Sequence, residues 1–389
     1  MNRLAIISTH PIQYYAPVFR LLAQRKKLHL KVFYTWGNAA QVQYDPGFGK
    51  TITWNIPLLE GYEYLFVPNT SKKPGSHHFW GIVNPTLVQE VLAWQPSAVL
   101  IYGWNYHSHL HLMWRLKGKV PVWFRGDSNL LDPQPEWKTL LKKLLLRQVY
   151  RLVDRAFYVG TENKRYYLAY GLHEEQLVFA PHAIDNTRFA DSPERQYQTQ
   201  ADLWRNSLGI SPQAILILFV GKLEPKKNPA LLLQVVQEYN ARYHQPLQLL
   251  FVGNGVLEES LKASAAGDSN VFFLDFQNQG KMPLVYRLGQ LFCLPSRGPG
   301  ETWGLAVNEA LACNRPVLVS ERVGCGVDLV KEGSSGLIFQ HNSAKDLLHC
   351  LVQLAQAIQL GEYGQVQPHI QAWSFERQVL AFEQALSSI

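Results

Sequence analysis

A glycine-rich turn followed by a helical segment is the first place in this sequence where chemistry can be expected. Residues 298–300 read Gly-Pro-Gly and break regular structure, and Thr302 then offers a side-chain oxygen that can cap a helix over residues 303–313. The first amide groups of a helix have no partner within it, and the helix dipole adds positive charge at that end. The pattern therefore predicts a phosphate-binding site at the start of this helix.

Two carboxylates bracket the start of the predicted helix. Glu301 comes directly before it, and Glu309 lies five residues past Gly304, about 7.5 Å along the axis at ~1.5 Å per residue. That distance suits the span from a diphosphate to a nucleoside ribose. Glu301 would then hold sugar hydroxyls near the anomeric carbon, and Glu309 would hold ribose hydroxyls. The alternative is a loop carboxylate and a solvated helix carboxylate that share no ligand.

The elements around this motif alternate between short apolar strands and helical segments. One series of apolar runs begins at residues 4–8, and a second begins at residue 215, after a polar, glutamine-rich stretch at 190–212 that is typical of a linker. The chain has 389 residues, which exceeds one ordinary core. The sequence therefore predicts an α/β protein of two Rossmann-like domains with parallel sheets.

Loops after the strands of the first half carry further candidates, because parallel sheets bind ligands at the carboxyl ends of their strands. His10 follows the first strand and could hydrogen-bond an acceptor or a donor phosphate, or it is a loop histidine bonded locally. Asp127, in an Arg-Gly-Asp turn, could accept from a sugar hydroxyl, with a simple turn aspartate as the equal alternative. Residues 36–85 are long and irregular, and we interpret them as acceptor-side loops.

The Glu-x7-Glu arrangement, with the run Pro-Val-Leu-Val at 316–319, resembles the donor-binding motif of retaining glycosyltransferases of family 4. The resemblance is specific from about residue 215 to 345 and looser before 150. It implies the GT-B fold, in which two Rossmann-like domains face each other across a cleft. It also implies an acceptor-side domain over 1–195, a nucleotide-sugar donor domain over 208–370, and a terminal helix over 371–389 that crosses back to the first domain.

This sequence also contains residues that match the family's two basic residues and its histidine. The family carries a basic residue five places before a lysine, which matches Lys222 and Lys227, and two cations aimed at one diphosphate would stabilise the charge on the leaving group. A solvated charge cluster is the alternative. The family's histidine near the donor sugar matches His107 best, although His109 or Trp104 could take that place and a surface histidine is equally open.

Three groups of site residues follow from the resemblance. The catalytic residues would be Glu301, Lys227 and His107, and the acceptor-side candidates are His10 and Asp127. The donor-binding residues would be Lys222, Lys227, Glu301, Trp303, Gly304, Leu305, Glu309 and Gly253. No cofactor and no divalent metal is expected, because no Asp-x-Asp site of the alternative glycosyltransferase fold stands in a fitting place.

The implied activity is transfer of a hexose-type sugar from a nucleotide diphosphate, with UDP favoured over GDP and ADP, and with retention at the anomeric carbon. The acceptor is open between a lipid-linked, a glycan and a small-molecule acceptor. The sequence shows no dedicated nucleophile, and the departing diphosphate oxygen could itself take the acceptor proton. The alternatives are an epimerase or phosphorylase of the same fold and a non-catalytic nucleotide-sugar-binding protein, and donor turnover separates them.

The net charge of +7 is concentrated in the first half, where residues 1–200 carry 23 lysines and arginines against 14 acidic residues. This favours an anionic partner, such as a membrane surface or a phosphorylated acceptor, over nucleic acid. Residues 137–155 predict a basic amphipathic helix, which either contacts an anionic membrane or is a scaffold helix with one solvated face.

The cellular compartment is predicted from three features that we do not find in the sequence. Its four cysteines have no metal spacing, the start does not read as a signal peptide, and no run approaches the roughly 20 apolar residues of a membrane span. We expect a cytoplasmic protein, with peripheral contact at the inner face of the membrane left open.

Overall fold

The computed structural model describes residues 1–37, 43–45, 50–52 and 55–389. Contacts divide the chain into two compact units. Unit 1 is built from residues 1–37, 56–183 and 373–389, and unit 2 from residues 184–372 with a short segment that ends at Asn55. Part of the segment 36–85, which we interpreted as acceptor-side loops, lies outside the described residues.

Unit 1 contains a seven-stranded parallel sheet. The strands of the first half are β1 (Arg3–Ser8), β2 (His29–Tyr34), β3 (Gln43–Asp45), β4 (Lys50–Ile52), β5 (Glu63–Phe66), β6 (Ala98–Tyr102), β7 (Val122–Arg125), β8 (Arg155–Tyr158) and β9 (Leu177–Phe179). Of these, β3 and β4 form a separate antiparallel ribbon. The helices of this half are α1 (Ala16–Gln24), α2 (Leu87–Ala93), α3 (His107–Leu116), α4 (Glu136–Tyr150) and α5 (Thr161–Ala169).

The sheet of unit 1 is buried on both faces. Its strand order is β5-β2-β1-β6-β7-β8-β9. Leu4 and Ile6 pack into the core on one face, and Ala5 and Ile7 pack into the core on the other. This explains why the strands read as continuous apolar runs in the sequence. After β1 the chain adds β2 and β5 on one side of that strand, and β6 then pairs with β1 on the opposite side. The loops after β1 and β6 are therefore neighbours.

Unit 2 repeats the same design with a six-stranded parallel sheet. Its strands are β10 (Leu216–Val220), β11 (Gln248–Val252), β12 (Val271–Leu274), β13 (Leu291–Leu294), β14 (Val317–Ser320) and β15 (Gly336–Phe339). Its helices are α6 (Asn186–Phe189), α7 (Tyr197–Ser207), α8 (Pro229–Arg242), α9 (Glu258–Ser264), α10 (Met282–Leu288), α11 (Leu305–Ala312), α12 (Gly326–Leu329) and α13 (Ala344–Gln359). The strand order β12-β11-β10-β13-β14-β15 is that of a dinucleotide-type α/β sheet, with its reversal between β10 and β13.

Two predicted segments differ from the structure. The basic helix α4 ends at Tyr150 instead of residue 155, because Asp154 already pairs its backbone N–H with the carbonyl of Val122 in the sheet, at 2.8 Å. The predicted linker at 190–212 contains the helix α7, which packs against α10 in unit 2. The sequence of α7 is polar because only two of its residues, Ala201 and Arg205, are buried.

The predicted C-terminal helix is present as α14 (Phe375–Ser387), and it belongs to unit 1. Its apolar residues join the core formed by β1, β2 and α1. The guanidinium of Arg25 donates to both carboxylate oxygens of Glu383, at 2.7 and 3.0 Å. None of the helices in the described part of the chain is long and apolar enough to cross a membrane.

Candidate active site

The loops after β10 and β13 bring two of the predicted residues into contact. The Lys227 ammonium donates to Oε2 of Glu301 at 2.7 Å, and the two side chains are only 16% and 11% exposed. These strands are adjacent at the reversal of the strand order, so their carboxyl-terminal loops must meet there. The topology of unit 2 therefore creates the pair from residues 74 positions apart in the sequence.

Further hydrogen bonds hold Glu301 and its loop in place. Ser296, which is fully buried, donates its hydroxyl to Glu301 Oε2 at 2.9 Å, and Ser320 at the end of β14 donates to the Ser296 carbonyl. The Arg297 amide donates to the Lys226 carbonyl at 2.8 Å. Three strand ends are thus tied together around the carboxylate.

Burial and charge act on Glu301 in opposite directions. Burial disfavours the charged carboxylate, but the positive charge of Lys227 and the bonds from Lys227 and Ser296 outweigh it and lower the pKa of Glu301 below its ordinary value. Glu301 is therefore an ionised acceptor at neutral pH. A carboxylate in that state can accept from sugar hydroxyls and can orient an ammonium group.

The helix that follows begins later than the sequence predicted. Its N-cap is Gly304 and its first residue is Leu305, so the expectation that Thr302 caps a helix from residue 303 was wrong. Gly304 has φ +95°, and a Cβ at this position would lie 2.7 Å from Cγ1 of Val323. Only glycine fits such a site without strain. The predicted amides near Gly304 and Leu305 do stand at the N-terminus of α11.

Glu309 lies in the interior of unit 2. It is 3% exposed, and the hydroxyl of Tyr286, on α10, donates to its Oε2 at 2.8 Å. The alternative of a solvated helix carboxylate is therefore wrong. Neither Tyr286 nor Ser296 was predicted, because no motif marks them and their roles depend on which helix and which strand end lie next to α11.

The remaining donor-binding candidates are a buried tryptophan, a glycine at a close contact between two loops, and a half-buried lysine. Trp303 is 3% exposed and donates its indole N–H to Oδ1 of Asn308 at 2.9 Å, so any contribution to a ligand must come from its backbone. Gly253 has φ +130°, and a Cβ there would lie 2.2 Å from the carbonyl oxygen of Gly221. Gly253 thus lets the loops after β10 and β11 touch. Lys222 is half-buried in the first of these loops.

Three candidates lie at strand ends of unit 1. His10 follows β1, and its Nδ1 lies 2.9 Å from the hydroxyl of Thr9, which supports the local-bonding alternative. His107 opens α3 after β6, and its ring stacks on Trp80 with centroids 4.7 Å apart. Asp127 follows β7, with an oxygen 3.9 Å from Nε2 of His182. Trp104, the other alternative to His107, packs against the core.

His109 is a structural histidine. Its Nδ1–H donates to the Gly103 carbonyl at 2.8 Å, and its Nε2 lies 2.8 Å from the hydroxyl of Thr35, which donates to it in this tautomer. The side chain has no exposed surface. Burial lowers the pKa of His109 from 6.5 to about 4, although its backbone hydrogen bonds favour the charged form. This arrangement leaves His107 as the better match for a ligand-facing histidine.

The buried neutral state of His109 predicts acid sensitivity. Because its pKa is lower in the folded than in the unfolded state, its contribution to stability is complete above about pH 6.5 and is lost as the pH falls towards about 4. At pH 5 the loss should be about 2 kcal/mol. Urea unfolding near pH 7.5 and pH 5 measures it for the wild type and for His109→Asn, whose amide keeps the bond to Gly103. His77→Asn, at an exposed position, is the control, and equal pH dependence in both variants would contradict this assignment.

Comparison with known proteins is consistent with this geometry. Residues 200–356 match the family described as glycosyl transferases group 1. A D-inositol 3-phosphate glycosyltransferase from Rhodococcus erythropolis is 31% identical over 263 residues, which cover 64% of this chain and 55% of that protein. One from Actinosynnema mirum is 26% identical over 266 residues, covering 65% of this chain and 60% of that protein. The chain thus spans about half the length of the curated relatives it matches.

Solved structures match the whole chain. HepE from Anabaena, in complex with UDP and glucose, has a TM-score of 0.72 at 16% identity, with 100% of both chains covered. Sucrose-phosphate synthase from Thermosynechococcus elongatus has a TM-score of 0.72 at 17% identity, covering 100% of this chain and 99% of that chain. At this level of identity the likeness concerns the fold.

Two parallel Rossmann-like sheets, matched over their full length by such structures, define the GT-B fold class. Within that class, the match at residues 200–356 makes the chain similar to glycosyl transferases group 1 proteins. The predicted resemblance to this group is confirmed.

Proposed function

We propose that this protein is a retaining glycosyltransferase of family 4 that transfers a hexose-type sugar from a nucleotide-diphosphate sugar, with UDP as the favoured nucleotide. The observation that carries the proposal is the buried Lys227–Glu301 pair, held where the strand order reverses and followed directly by the N-terminus of α11. The names of the relatives, which are glycosyltransferases, and a neighbouring structure that contains UDP-glucose support it.

In the proposed reaction, the diphosphate is stabilised by positive charge from the chain itself. Lys222, Lys227 and the amides near Gly304 and Leu305 would surround the phosphate oxygens as the bond to the anomeric carbon breaks. The acceptor oxygen would form its bond to that carbon on the same face, and its proton would pass to the departing diphosphate oxygen. No protein nucleophile enters this scheme.

The two carboxylates would have different roles. Glu301 would orient the Lys227 ammonium, to which it is already bonded, and would accept from hydroxyls of the transferred sugar. Glu309, fixed by the hydroxyl of Tyr286, would accept from the ribose hydroxyls. In unit 1, His107, His10 and Asp127 are the candidates for contacts to the sugar or the acceptor.

The acceptor would be a lipid-linked, glycan or small molecule, in the synthesis of a polysaccharide or glycolipid by a cytoplasmic enzyme. The strongest support for a lipid-linked acceptor is a surface of unit 1 that is considered in the next subsection.

Turnover of donors is the direct test. We expect one UDP-sugar to be consumed in the presence of an acceptor pool that contains inositol phosphate, free sugars and extracted lipids, with the product in the same anomeric configuration by NMR. EDTA should leave the rate unchanged, because lysines and helix amides supply the charge that a metal would provide.

Other outcomes would identify the alternatives. An epimerised nucleotide sugar formed without any acceptor would indicate an epimerase. Calorimetric binding of the donor without turnover under any of these conditions would indicate a nucleotide-sugar-binding protein. A rate abolished by EDTA and restored by Mg²⁺ would contradict the metal-independent scheme.

A further inference from the structure

Helix α4 has an apolar face that points away from unit 1. Five large apolar side chains of its first two and a half turns are each between 52% and 62% exposed. They are Trp137, Leu140, Leu141, Leu144 and Leu145. We call these five residues the outward stripe. Isolated exposed apolar side chains are ordinary on a protein surface, but five on one helix form a contiguous patch.

The outward stripe is distinct from the face by which α4 packs on its unit. At about 100° per residue, its five members fall within an arc of about 140°. Leu146, Val149 and Tyr150 are the buried residues of the helix, and they centre on roughly the opposite side. A scaffold helix needs only the second of these faces. The face opposite the core is thus exposed, as in the scaffold-helix alternative, but it is apolar where a solvated face is ordinarily polar.

Positive charge borders the outward stripe on both edges. Lys138 and Lys142 follow one edge, and Lys143 and Arg147 follow the other. Lys142 lies 4.9 Å from the ring centroid of Tyr166, so its ammonium is directed towards the body of the unit. Glu136 is the single acidic residue of the helix. An apolar surface bordered by Lys138, Lys143 and Arg147, with one carboxylate, is complementary to a negatively charged, partly apolar partner.

We propose that α4 docks this protein on anionic lipid bilayers, with the outward stripe in the interfacial region and the bordering lysines and arginine at the phosphate groups. This is the geometry of a helix that lies in the plane of the membrane surface. Trp137, at the end of the stripe, has the side chain that membrane interfaces favour.

The charges argue against a second copy of the chain as the occupant. A symmetric dimer through the outward stripe would place Lys138, Lys143 and Arg147 of one helix near the same three residues of the other, with a single carboxylate on each side. Like charges at such short range oppose association. An anionic bilayer supplies the opposite charge and also accepts the five apolar side chains.

Vesicle flotation with the full chain tests the proposal. We expect the protein to float with vesicles of phosphatidylcholine and phosphatidylglycerol, to float less at high salt because the attraction is screened, and to remain unbound with phosphatidylcholine alone. Equal recovery with both kinds of vesicle at both salt concentrations would overturn it. The assay requires no donor, no acceptor and no turnover, so its result is independent of the proposed transferase activity.

Paired variants assign the binding to α4. Leu141→Gln with Leu144→Gln should lower the partition coefficient into anionic vesicles more than tenfold, because two apolar side chains lose their place in the interface. Leu203→Gln with Leu360→Gln is the matched control, since both residues are exposed leucines of unit 2, and it should bind like the wild type. Circular dichroism checks that each pair is folded. Equal binding by the two pairs would overturn the proposal.

A second pair tests the electrostatic part. Lys138→Gln with Lys143→Gln should weaken binding to anionic vesicles roughly thirtyfold, from ~1 kcal/mol for each cation near such a surface. Lys72→Gln with Lys73→Gln removes two exposed lysines elsewhere in unit 1 and should leave binding unchanged. If the purified wild type is a dimer that the leucine pair converts to monomers, a second copy covers the outward stripe and the membrane proposal fails.

Discussion

Lys227→Met is expected to lower turnover by about 10²–10³, because it removes charge that would stabilise the leaving diphosphate. Methionine keeps the length of the side chain, so the change acts mainly through charge. The variant also leaves the carboxylate of Glu301 buried without its cation, which should raise the pKa of Glu301 and cost some stability. Steady-state rates and urea unfolding measure the two effects.

A double variant separates catalysis from stability. Lys227→Met combined with Glu301→Gln removes both charges of the pair and should recover stability without recovering turnover. Lys226→Met is the matched control, since this neighbouring lysine is 40% exposed and pairs with Glu224 at 3.4 Å. If Lys227→Met keeps most of the wild-type rate, Lys227 is not the phosphate-binding lysine, and Lys222 or Lys226 must be tested in its place.

Glu309→Gln and Glu301→Gln are expected to fail in different ways. A ribose contact is the same in the ground state and the transition state, so Glu309→Gln should raise the KM for the donor by at least about tenfold with kcat nearly unchanged. Glu301 would stand beside the sugar, where charge develops as the bond breaks. Glu301→Gln should therefore lower kcat, by roughly 10²-fold, more than it weakens donor binding.

Calorimetry of donor binding beside steady-state kinetics makes this comparison. Tyr286→Phe is an informative third variant, because it removes the hydrogen bond to Glu309 and leaves the carboxylate in place. It should raise the KM less than Glu309→Gln does. If Glu301→Gln left the rate intact while Glu309→Gln abolished it at unchanged donor affinity, the two roles would be assigned wrongly.

The strands were the most predictable part of this protein. In a parallel sheet covered on both faces the residues of the central strands are buried on either side, so Leu4 to Ile7 or Leu249 to Val252 appear in the sequence as uninterrupted apolar runs. Helix α7 was missed for the opposite reason. Only Ala201 and Arg205 of that helix are buried, and its polar surface has the composition of a linker.

Candidate site residues that belong to a sequence motif could be named in advance. Residues that reach them only through the topology of the fold could not. Glu301 and Glu309 became candidates through their spacing and Lys227 through the family resemblance. The partners of the two carboxylates, Ser296 and Tyr286, lie on a strand end and a helix that no local pattern connects to them. The N-cap at Gly304 was missed because Thr302 is the better cap by side-chain type, whereas the positive φ and the close approach of Val323 require glycine.

The position of α14 has a consequence for synthesis of the chain on the ribosome. Phe375, Val379, Phe382 and Leu386 complete one side of the core of unit 1, and they are translated after residues 184–372 of unit 2. The sheet of unit 1 is made first, but its face beneath α14 stays uncovered until α14 itself has been translated. By then unit 2 has received all of residues 184–372. The later-made unit can therefore finish its core first, and a nascent chain stalled shortly before residue 375 presents an open apolar face to chaperones and proteases.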